Sequence, residues 1–357
     1  LNAVCGFTLG TSYYWSSSLC AFSFNSAYIV IFGDGNVSSN NKHSSNCVLV
    51  LQAFNAEQFN NYEVTTIPSI TSVTIPNAGE GYTGELPVTI IGENLKGYEI
   101  TCSDSSFGNV NYVSDNMIKA TVNCNGIVGE NTITVTSGIS SATGTVKVVA
   151  AEKCYSVGDV LFTDGTRIKA ENVQYGLPSG KNAFAVIASA PYGGGVGKAV
   201  GLQRSSSTLE WAPSGTTGYS TDFTGIQADF SGDSSSGYTF SGDIDGSDNW
   251  EYICSIDPEG TKDPANNYPA FNFALTYGTT AGLTETDYET GWYIPSVAEL
   301  YDVYTNKEVV QTSLNAVCGF TLGTSYYWSS SQDASNYYYA YLVNFNDGYV
   351  NYYSKNV

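Results

Sequence analysis

The sequence is short of the residues on which most enzymes and metal sites depend. It has a single His, His43, and a single Met in 357 residues. One imidazole argues against His-based metal centres and against a His general base. Basic residues are also few: 13 Lys+Arg stand against 33 Asp+Glu, a net charge of -20. That balance argues against nonspecific nucleic-acid binding, which runs on phosphate neutralisation, and against docking on an anionic membrane. No apolar run approaches the roughly 20 residues of a membrane span. No signal peptide opens the chain. Leu1 reads as the middle of a domain, so the natural N-terminus is expected upstream, and export stays open. The eight Cys (Cys5, Cys20, Cys47, Cys102, Cys124, Cys154, Cys254 and Cys318) include no C-x-x-C pair, which removes the usual zinc and iron–sulfur signals. Cys102 and Cys124 fall on two candidate strands of one small segment; a disulfide and two buried thiols are the alternatives there.

Catalytic motifs are missing too. There is no G-x-S-x-G, no H-E-x-x-H and no P-loop, and GVGKAV at 195–200 is too short for a phosphate cradle. Asp243, Asp245 and Asp248 in GDIDGSDNW match half of a calcium loop, but its twelfth position is Cys254 instead of Glu. A capped acidic turn is the expectation, with calcium the weaker alternative. No enzyme activity is expected. What remains is 42% hydrophobic and 14% aromatic, with only 13% charged residues. A polar surface built of Ser, Thr, Asn, Gly and Tyr suits an extracellular, β-rich binding protein, and the length allows two or three domains.

The chain repeats itself. Residues 1–18, LNAVCGFTLGTSYYWSSS, recur letter for letter at 314–331, and the match runs without a gap to 44 and 357. Beyond the identical block, nine positions agree: Ala21/Ala334, Ala27/Ala340, Tyr28/Tyr341, Val30/Val343, Phe32/Phe345, Asp34/Asp347, Gly35/Gly348, Val37/Val350 and Lys42/Lys355. The other 17 differ, with free changes of size and polarity, as in Phe22/Ser335, Ile31/Asn344, Gly33/Asn346 and Asn40/Tyr353. Nearly all the alternatives are reachable from an Asn codon by replacing adenines alone; Leu19/Gln332 fits the same rule. Lys42/Lys355, which an adenine-rich codon would put at risk, does not vary, and the sequence offers no reason. Neutral drift after a tandem duplication would also have touched the first 18 residues and would have sampled Glu, Lys and Thr.

Residues 45–54, SNCVLVLQAF, read as a buried terminal strand, and 55–67 as a polar linker. From Pro68 to about Ala150 the alternation in LPVTIIG (86–92), MIKATVNC (117–124) and NTITVTSG (131–138) implies a small β-sandwich of five to seven strands. Its phrases PSITSVTIP, GELPVTIIGENL, FGNV and GENTITVTSG resemble those of IPT/TIG immunoglobulin-like domains, which implies a spacer in a surface protein. Residues 152–357 form the remaining domain. A strand–turn–strand is expected at VGDVLFTDGT (157–166), a strand at AFAVIASA, and loop over 205–250. Ser296 and Glu299 form a capping box ahead of a short helix carrying Val297, Leu300 and Val303. Trp211, Trp250, Trp292 and Trp328 are the candidate aromatic core.

The phrases GWYIPSVAEL (291–300), YYWSSS (326–331) and VNFNDG (343–348), with the two-copy pattern, resemble the C-type-lectin-fold proteins diversified by retroelements. They are similar as well to the related paralogous domains of Bacteroidetes and Fibrobacter surface proteins. The resemblance covers about 152–357 plus 1–54. It implies a mixed α+β, loop-rich C-type-lectin-like fold joined to an all-β immunoglobulin-like sandwich. It also implies that an error-prone reverse transcriptase, substituting at adenines, overwrites the variable repeat, whose side chains stand on a ligand-binding face. Residues 1–54 would be the C-terminal part of one such domain. Residues 152–357 would be a second, stopping at Val357 where family members continue into a last strand. A fragment of a tandem array is the simpler account; completion of the fold by exchange of 1–54 is the other. The formylglycine-generating enzyme shares the wider fold, but Cys318 has no evident partner for that chemistry.

On this resemblance the variable face of the second copy is Asp333, Ser335, Asn336, Tyr337, Tyr338, Tyr339, Leu342, Asn344, Asn346, Tyr349, Asn351, Tyr352, Tyr353, Ser354 and Asn356. That of the first copy is Leu19, Cys20, Phe22, Ser23, Phe24, Asn25, Ser26, Ile29, Ile31, Gly33, Asn36, Ser38, Ser39, Asn40, Asn41 and His43. Phe345, Asp347, Gly348 and Val350 look like scaffold, and the agreeing Tyr341 is expected to face the core. Tyr, Ser and Asn together are paratope chemistry: large rings at modest entropy cost, with adaptable hydrogen bonding. The expected function is a surface-displayed receptor or adhesin, extracellular or on a phage particle. Its expected partner is a protein or glycan on another cell or particle, with no nucleic acid and no membrane insertion. The rival is a structural envelope or phage-particle repeat protein whose variation serves antigenic escape.

Overall fold

The computed structural model describes residues 13–19, 26–31, 36–42, 67–317 and 319–357. The chain divides into two compact units, Leu1–Thr65 and Thr66–Val357. The strand expected over 45–54 and, but for Ile67, the linker over 55–67 lie outside the described residues. In the first unit, β1 (Tyr13–Leu19), β2 (Ser26–Ile31) and β3 (Val37–Asn41) form an antiparallel sheet in that order.

The second unit is mixed and mostly β. It begins with a sandwich of β4 (Ser69–Thr74), β5 (Ala78–Gly79), β6 (Glu85–Glu93), β7 (Ile100–Cys102), β8 (Gly108–Tyr112), β9 (Met117–Asn123), β10 (Gly129–Ser137) and β11 (Ser140–Val149). These strands make two four-stranded sheets, ordered β5-β11-β10-β7 and β4-β6-β9-β8. Strict alternation sets which side each strand buries: in β6, Leu86, Val88 and Ile90 are buried between half-exposed neighbours. They meet Ile118, Val122, Ile133 and Val135 in one core. Cys102 and Cys124 are both free thiols, Cys124 inside that core, so the disulfide alternative is not realised.

Next, β12 (Val160–Phe162), β13 (Arg167–Ile168), β14 (Ala183–Ser189) and β15 (Lys198–Gly201) form a sheet ordered β13-β12-β14-β15. The Ser/Gly/Asp-rich stretch expected as loop contains a hairpin, β16 (Gln227–Asp233) and β17 (Gly237–Gly242). Its signal was Phe230 opposite Phe240 with Tyr238 two residues away, an alternation diluted by small polar residues. The principal helices are α1 (Asn249–Ile256), α2 (Pro269–Leu275), α3 (Val297–Thr305) and α4 (Lys307–Ala316). The capping box is present: Ser296 Oγ accepts from Glu299 N, and Glu299 Oε2 accepts from Ser296 N at 2.8 Å.

The chain then adds β18 (Tyr326–Asp333), β19 (Tyr339–Asn344) and β20 (Val350–Ser354), giving a five-stranded sheet ordered β17-β16-β18-β19-β20. All its pairings are antiparallel except β16 with β18. This sheet is packed on both faces. Tyr341, Val343, Phe345 and Val350 meet Leu300, Val303, Val310 and Leu314 of α3 and α4. Ala340 and Trp328 meet Trp211, Phe223, Tyr252 and Phe271, joined by Met117 and Ile91 of the sandwich. Of the four candidate core Trp, Trp211 is fully buried and Trp250, Trp292 and Trp328 pack partly buried against such clusters.

Candidate functional site

The identical block ends in β18, and the structure gives its WSSS a physical reason. Ser329, Ser330 and Ser331 are all fully buried, and each hydroxyl has a partner. Ser329 Oγ donates to Tyr341 O at 2.9 Å; Ser330 Oγ accepts from Asn249 Nδ2 at 2.8 Å; Ser331 Oγ donates to Asp243 Oδ2 at 3.0 Å and accepts from Val297 N. Trp328 Nε1 donates to Leu209 O at 2.9 Å. Removing any one of these hydroxyls would strand a buried polar group.

Beyond Ser331, agreement and difference between the copies follow burial. Seven of the nine agreeing positions are buried in the second copy: Ala340, Tyr341, Val343, Phe345, Gly348, Val350 and Lys355. Gly348 has φ 74°, and a Cβ there would lie 2.2 Å from the Tyr304 ring. Lys355, whose agreement with Lys42 had no reason in the sequence, has a structural role in the second copy. Its side chain is fully buried, and its Nζ donates to Gly218 O (3.0 Å), Thr221 O (3.3 Å) and Gln332 Oε1 (2.8 Å). It also lies over the rings of Trp211 and Phe223, 4.6 and 5.0 Å from their centroids. Burial pulls its pKa down to about 7, against the pull of Asp222 in the other direction. The Lys stem fills an apolar slot while its end feeds three oxygens.

Of the 17 differing positions, 13 reach solvent. Ser335, Tyr337, Tyr338, Asn346, Tyr349, Tyr352 and Tyr353 are exposed; Asn336, Tyr339, Asn351, Ser354 and Asn356 are half-buried. Three residues expected on the face are buried instead. Asp333 Oδ1 accepts from Ser335 N and Oγ, so it braces the turn after β18. Asn344 Oδ1 accepts from Asn346 N and braces the turn before β20. Leu342 is core, and its counterpart Ile29 is equally apolar. The expectation missed them because turn-bracing side chains sit under the hairpin ends, which a list of differing positions does not reveal.

The exposed set is an edge, not a flat face. β20 is the last strand of its sheet, so Tyr352 and Tyr353 project to opposite sides of it. Tyr352 packs tilted against Tyr339, with centroids 5.6 Å apart, and Tyr337 tilted against Tyr338 at 4.3 Å. Tyr219, from outside the repeat, packs on Tyr338 at 5.2 Å and places its hydroxyl 3.4 Å from Ser354 Oγ. Nothing in the sequence marked Tyr219, since only the fold brings it there. On the other side Tyr353 lines a cleft of about 1240 Å3 with Tyr326, Trp328, Trp292 and Arg204.

In the first unit the backbone repeats this hairpin. Tyr13 pairs with Ile31 and Trp15 with Ile29, as Tyr326 pairs with Asn344 and Trp328 with Leu342, and both copies shift register before the last pair. Asn36, Ser38 and Asn41 are exposed. Cys20, Phe22, Ser23, Phe24, Asn25, Gly33 and His43 lie outside the described residues. Leu19, Ser26, Ile29, Ile31, Ser39 and Asn40 are described only as strand.

The acidic loop meets lysines. Lys119 Nζ, from the sandwich, lies 3.5 Å from Asp243 Oδ1 and 3.3 Å from Asp248 Oδ1. Lys198 takes Asp245 at 3.2 Å and is bonded to Glu299. The three Asp expected as half a calcium loop are thus divided between two ammonium groups, and the described residues contain no cluster suited to a metal ion. Burial pushes Asp243 up to about 6 despite Lys119.

No protein-family profile matches the chain, and no curated protein does. Among solved structures it aligns with domains 4 and 5 of the S-layer protein SbsC at 16% identity, covering 35% of this chain and 65% of that one, with a TM-score of 0.18. The SrpA adhesin of Streptococcus sanguinis aligns at 13% identity over 39% of this chain and 93% of its own, TM-score 0.21. The Yersinia pseudotuberculosis adhesin InvE aligns at 12% identity over 80% and 94%, TM-score 0.20. Scores this low identify no shared fold. No helix among the described residues is long and apolar enough to cross a membrane.

Proposed function

We propose that the chain is a non-enzymatic, surface-displayed ligand-binding protein of receptor or adhesin type. In this reading the edge formed by 335–339 and 346–356 is the binding surface, and adenine-directed retroelement mutagenesis diversifies it. The proposal keeps the C-type-lectin-like assignment for 152–357 and an immunoglobulin-like spacer for 68–150.

One observation carries it: in the second copy 13 of the 17 differing positions reach solvent, whereas seven of the nine agreeing positions are buried. Plain duplication with drift also spares cores, but it would not leave 18 upstream residues untouched while trading Ser for Tyr beside them. Five exposed Tyr among Asn and Ser supply contact area of the kind that antibody loops use. The test is exchange of the segment after Ser331 among variants from several isolates. The reading expects melting temperatures within a few degrees of one another, with different partners captured. Collapse of most variants, or one partner shared by all, would sink it.

A further inference from the structure

We infer that the tyrosine edge of the second unit takes a basic protein partner, and that arginine side chains of that partner are what its rings hold. This rests on the binding reading above and adds the chemistry of the ligand.

Charge is distributed unevenly along the chain. Residues 205–357 contain 19 Asp+Glu against 3 Lys and no Arg, whereas residues 1–204 contain 14 against 10 Lys+Arg. All three lysines of the acidic stretch have internal partners. Lys355 is buried on three oxygens; Lys307 donates to Phe345 O at 3.1 Å and lies over the Tyr304 ring at 4.5 Å; Lys262 pairs with Glu259 at 2.6 Å. The edge itself meets solvent with rings, amides, hydroxyls and acids, and the one cation of the cleft beside Tyr353 named above, Arg204, donates to Tyr327 Oη at 3.3 Å. Asp347, in the turn between β19 and β20, is exposed, as are Asp229 and Asp233 of β16. Burial raises the pKa of the Tyr341 phenol beside Tyr352, with Asp333 and Asp229 adding to it, and burial raises that of Tyr238, with Tyr349 and Asp233 adding to it.

Such a surface selects by charge. Its field repels nucleic acid, sulfated glycans and acidic proteins, and it steers cationic partners inward. Tyr337, Tyr338, Tyr349, Tyr352 and Tyr353 are 37–50% exposed, so part of each ring is open to a cation. Guanidinium is planar and weakly hydrated, so it stacks on such rings better than ammonium. Lys355 and Lys307 already show cations seated over aromatic rings in this unit.

The test is calorimetric titration of the whole chain with nona-arginine, nona-lysine and nona-glutamate at low and high salt. Nona-arginine is expected to bind about 5-fold or more tighter than nona-lysine, with salt weakening both, and nona-glutamate not to bind. A variant carrying Tyr337→Ser, Tyr338→Ser, Tyr352→Ser and Tyr353→Ser keeps its net charge and should lose about 10-fold or more on nona-arginine. Asp347→Asn should lose about 2-fold. Should the quadruple variant unfold, the hydrogen-exchange footprint of nona-arginine on the wild-type chain decides, with protection expected at 335–339 and 349–354. Unchanged affinity in the quadruple variant, a footprint on other acidic loops, equal binding of nona-lysine, or no binding of nona-arginine would each overturn the inference. If exchanged segments still select different partners, the binding reading survives and only the cationic partner falls.

Discussion

Two hairpins in this chain, 13–41 and 326–354, have first strands identical through Ser18 and Ser331 and share one register, yet agreeing residues in and beside them stand in different surroundings. Val350 is 2% exposed and Val37 is 66% exposed. Lys355 is buried and Lys42 is exposed. The pairing register is thus the same although Val37 and Lys42 are exposed where Val350 and Lys355 are buried. It comes from the local alternation and the shared shift before Leu19 and Gln332. The burial is a separate layer, supplied in the second unit by α3, α4 and the loop around Trp211.

The most forceful way to break this comparison is at the lysines. Lys355→Met keeps the apolar stem but removes the donor to Gly218 O and Thr221 O and leaves Gln332 Oε1 with Phe223 N alone, a loss of about 3 kcal/mol. Lys42→Met should stay within about 0.5 kcal/mol. Chemical denaturation of the two variants checks the pair, and similar losses would refute the distinction. The sign of the pH effect is also set. The Lys355 pKa is about 7 in the folded chain against an ordinary 10.5, so the unfolded chain binds more protons between those values. Stability should rise with pH across that window in the wild type, and Lys355→Met should remove the rise.

A comparable effect is expected where Ser331 of the second hairpin meets Asp243. Burial lifts this carboxyl to about 6 from 3.8. The folded state then holds its proton more tightly, so the contribution is complete below about pH 4 and lost as pH rises through 6. It amounts to about 3 kcal/mol at most. Asp248 and Glu299 are raised in the same direction by burial and extend the same trend. Melting curves from pH 4 to 7 should flatten in Asp243→Asn. Hydrogen exchange should loosen in 326–333 over that window, with no change in 13–19. Below these in size comes Val350→Ala, at about 2 kcal/mol, against a negligible effect of Val37→Ala.

Much of this was legible beforehand, for identifiable reasons. Strand alternation in LPVTIIG and the Ser296–Glu299 box are local signals, and both elements formed as read. Burial of Tyr341 followed from its agreement between copies. What escaped depends on distant chain. Lys119 reaches Asp243 across 124 positions of sequence, so GDIDGSDNW looked like half a metal loop when it is half of an ion-pair site. Lys355 looked inexplicable because its acceptors come from Gly218 and Thr221. Asp333 and Asn344 were assigned to the surface because differing positions carry no mark of which ones brace a turn.

The finest test transplants one hairpin's residues into the other. Tyr337→Phe, Tyr338→Asn, Tyr352→Ser and Tyr353→Asn install in the second copy what the first carries at Phe24, Asn25, Ser39 and Asn40. These side chains are half exposed and hold few internal bonds, so each change should cost within about 0.5 kcal/mol. Tyr338 is the exception to watch, since its ring packs on Tyr219 and Tyr337, and its loss should approach 1 kcal/mol. Asn344→Ile, the first copy's Ile31, serves as the contrast. It removes the buried acceptor for Asn346 N beneath an exposed turn and should cost about 1–2 kcal/mol in the second copy. If the four exposed changes together cost more than Asn344→Ile alone, the Tyr edge is part of the fold's support, and its freedom to vary would need another explanation.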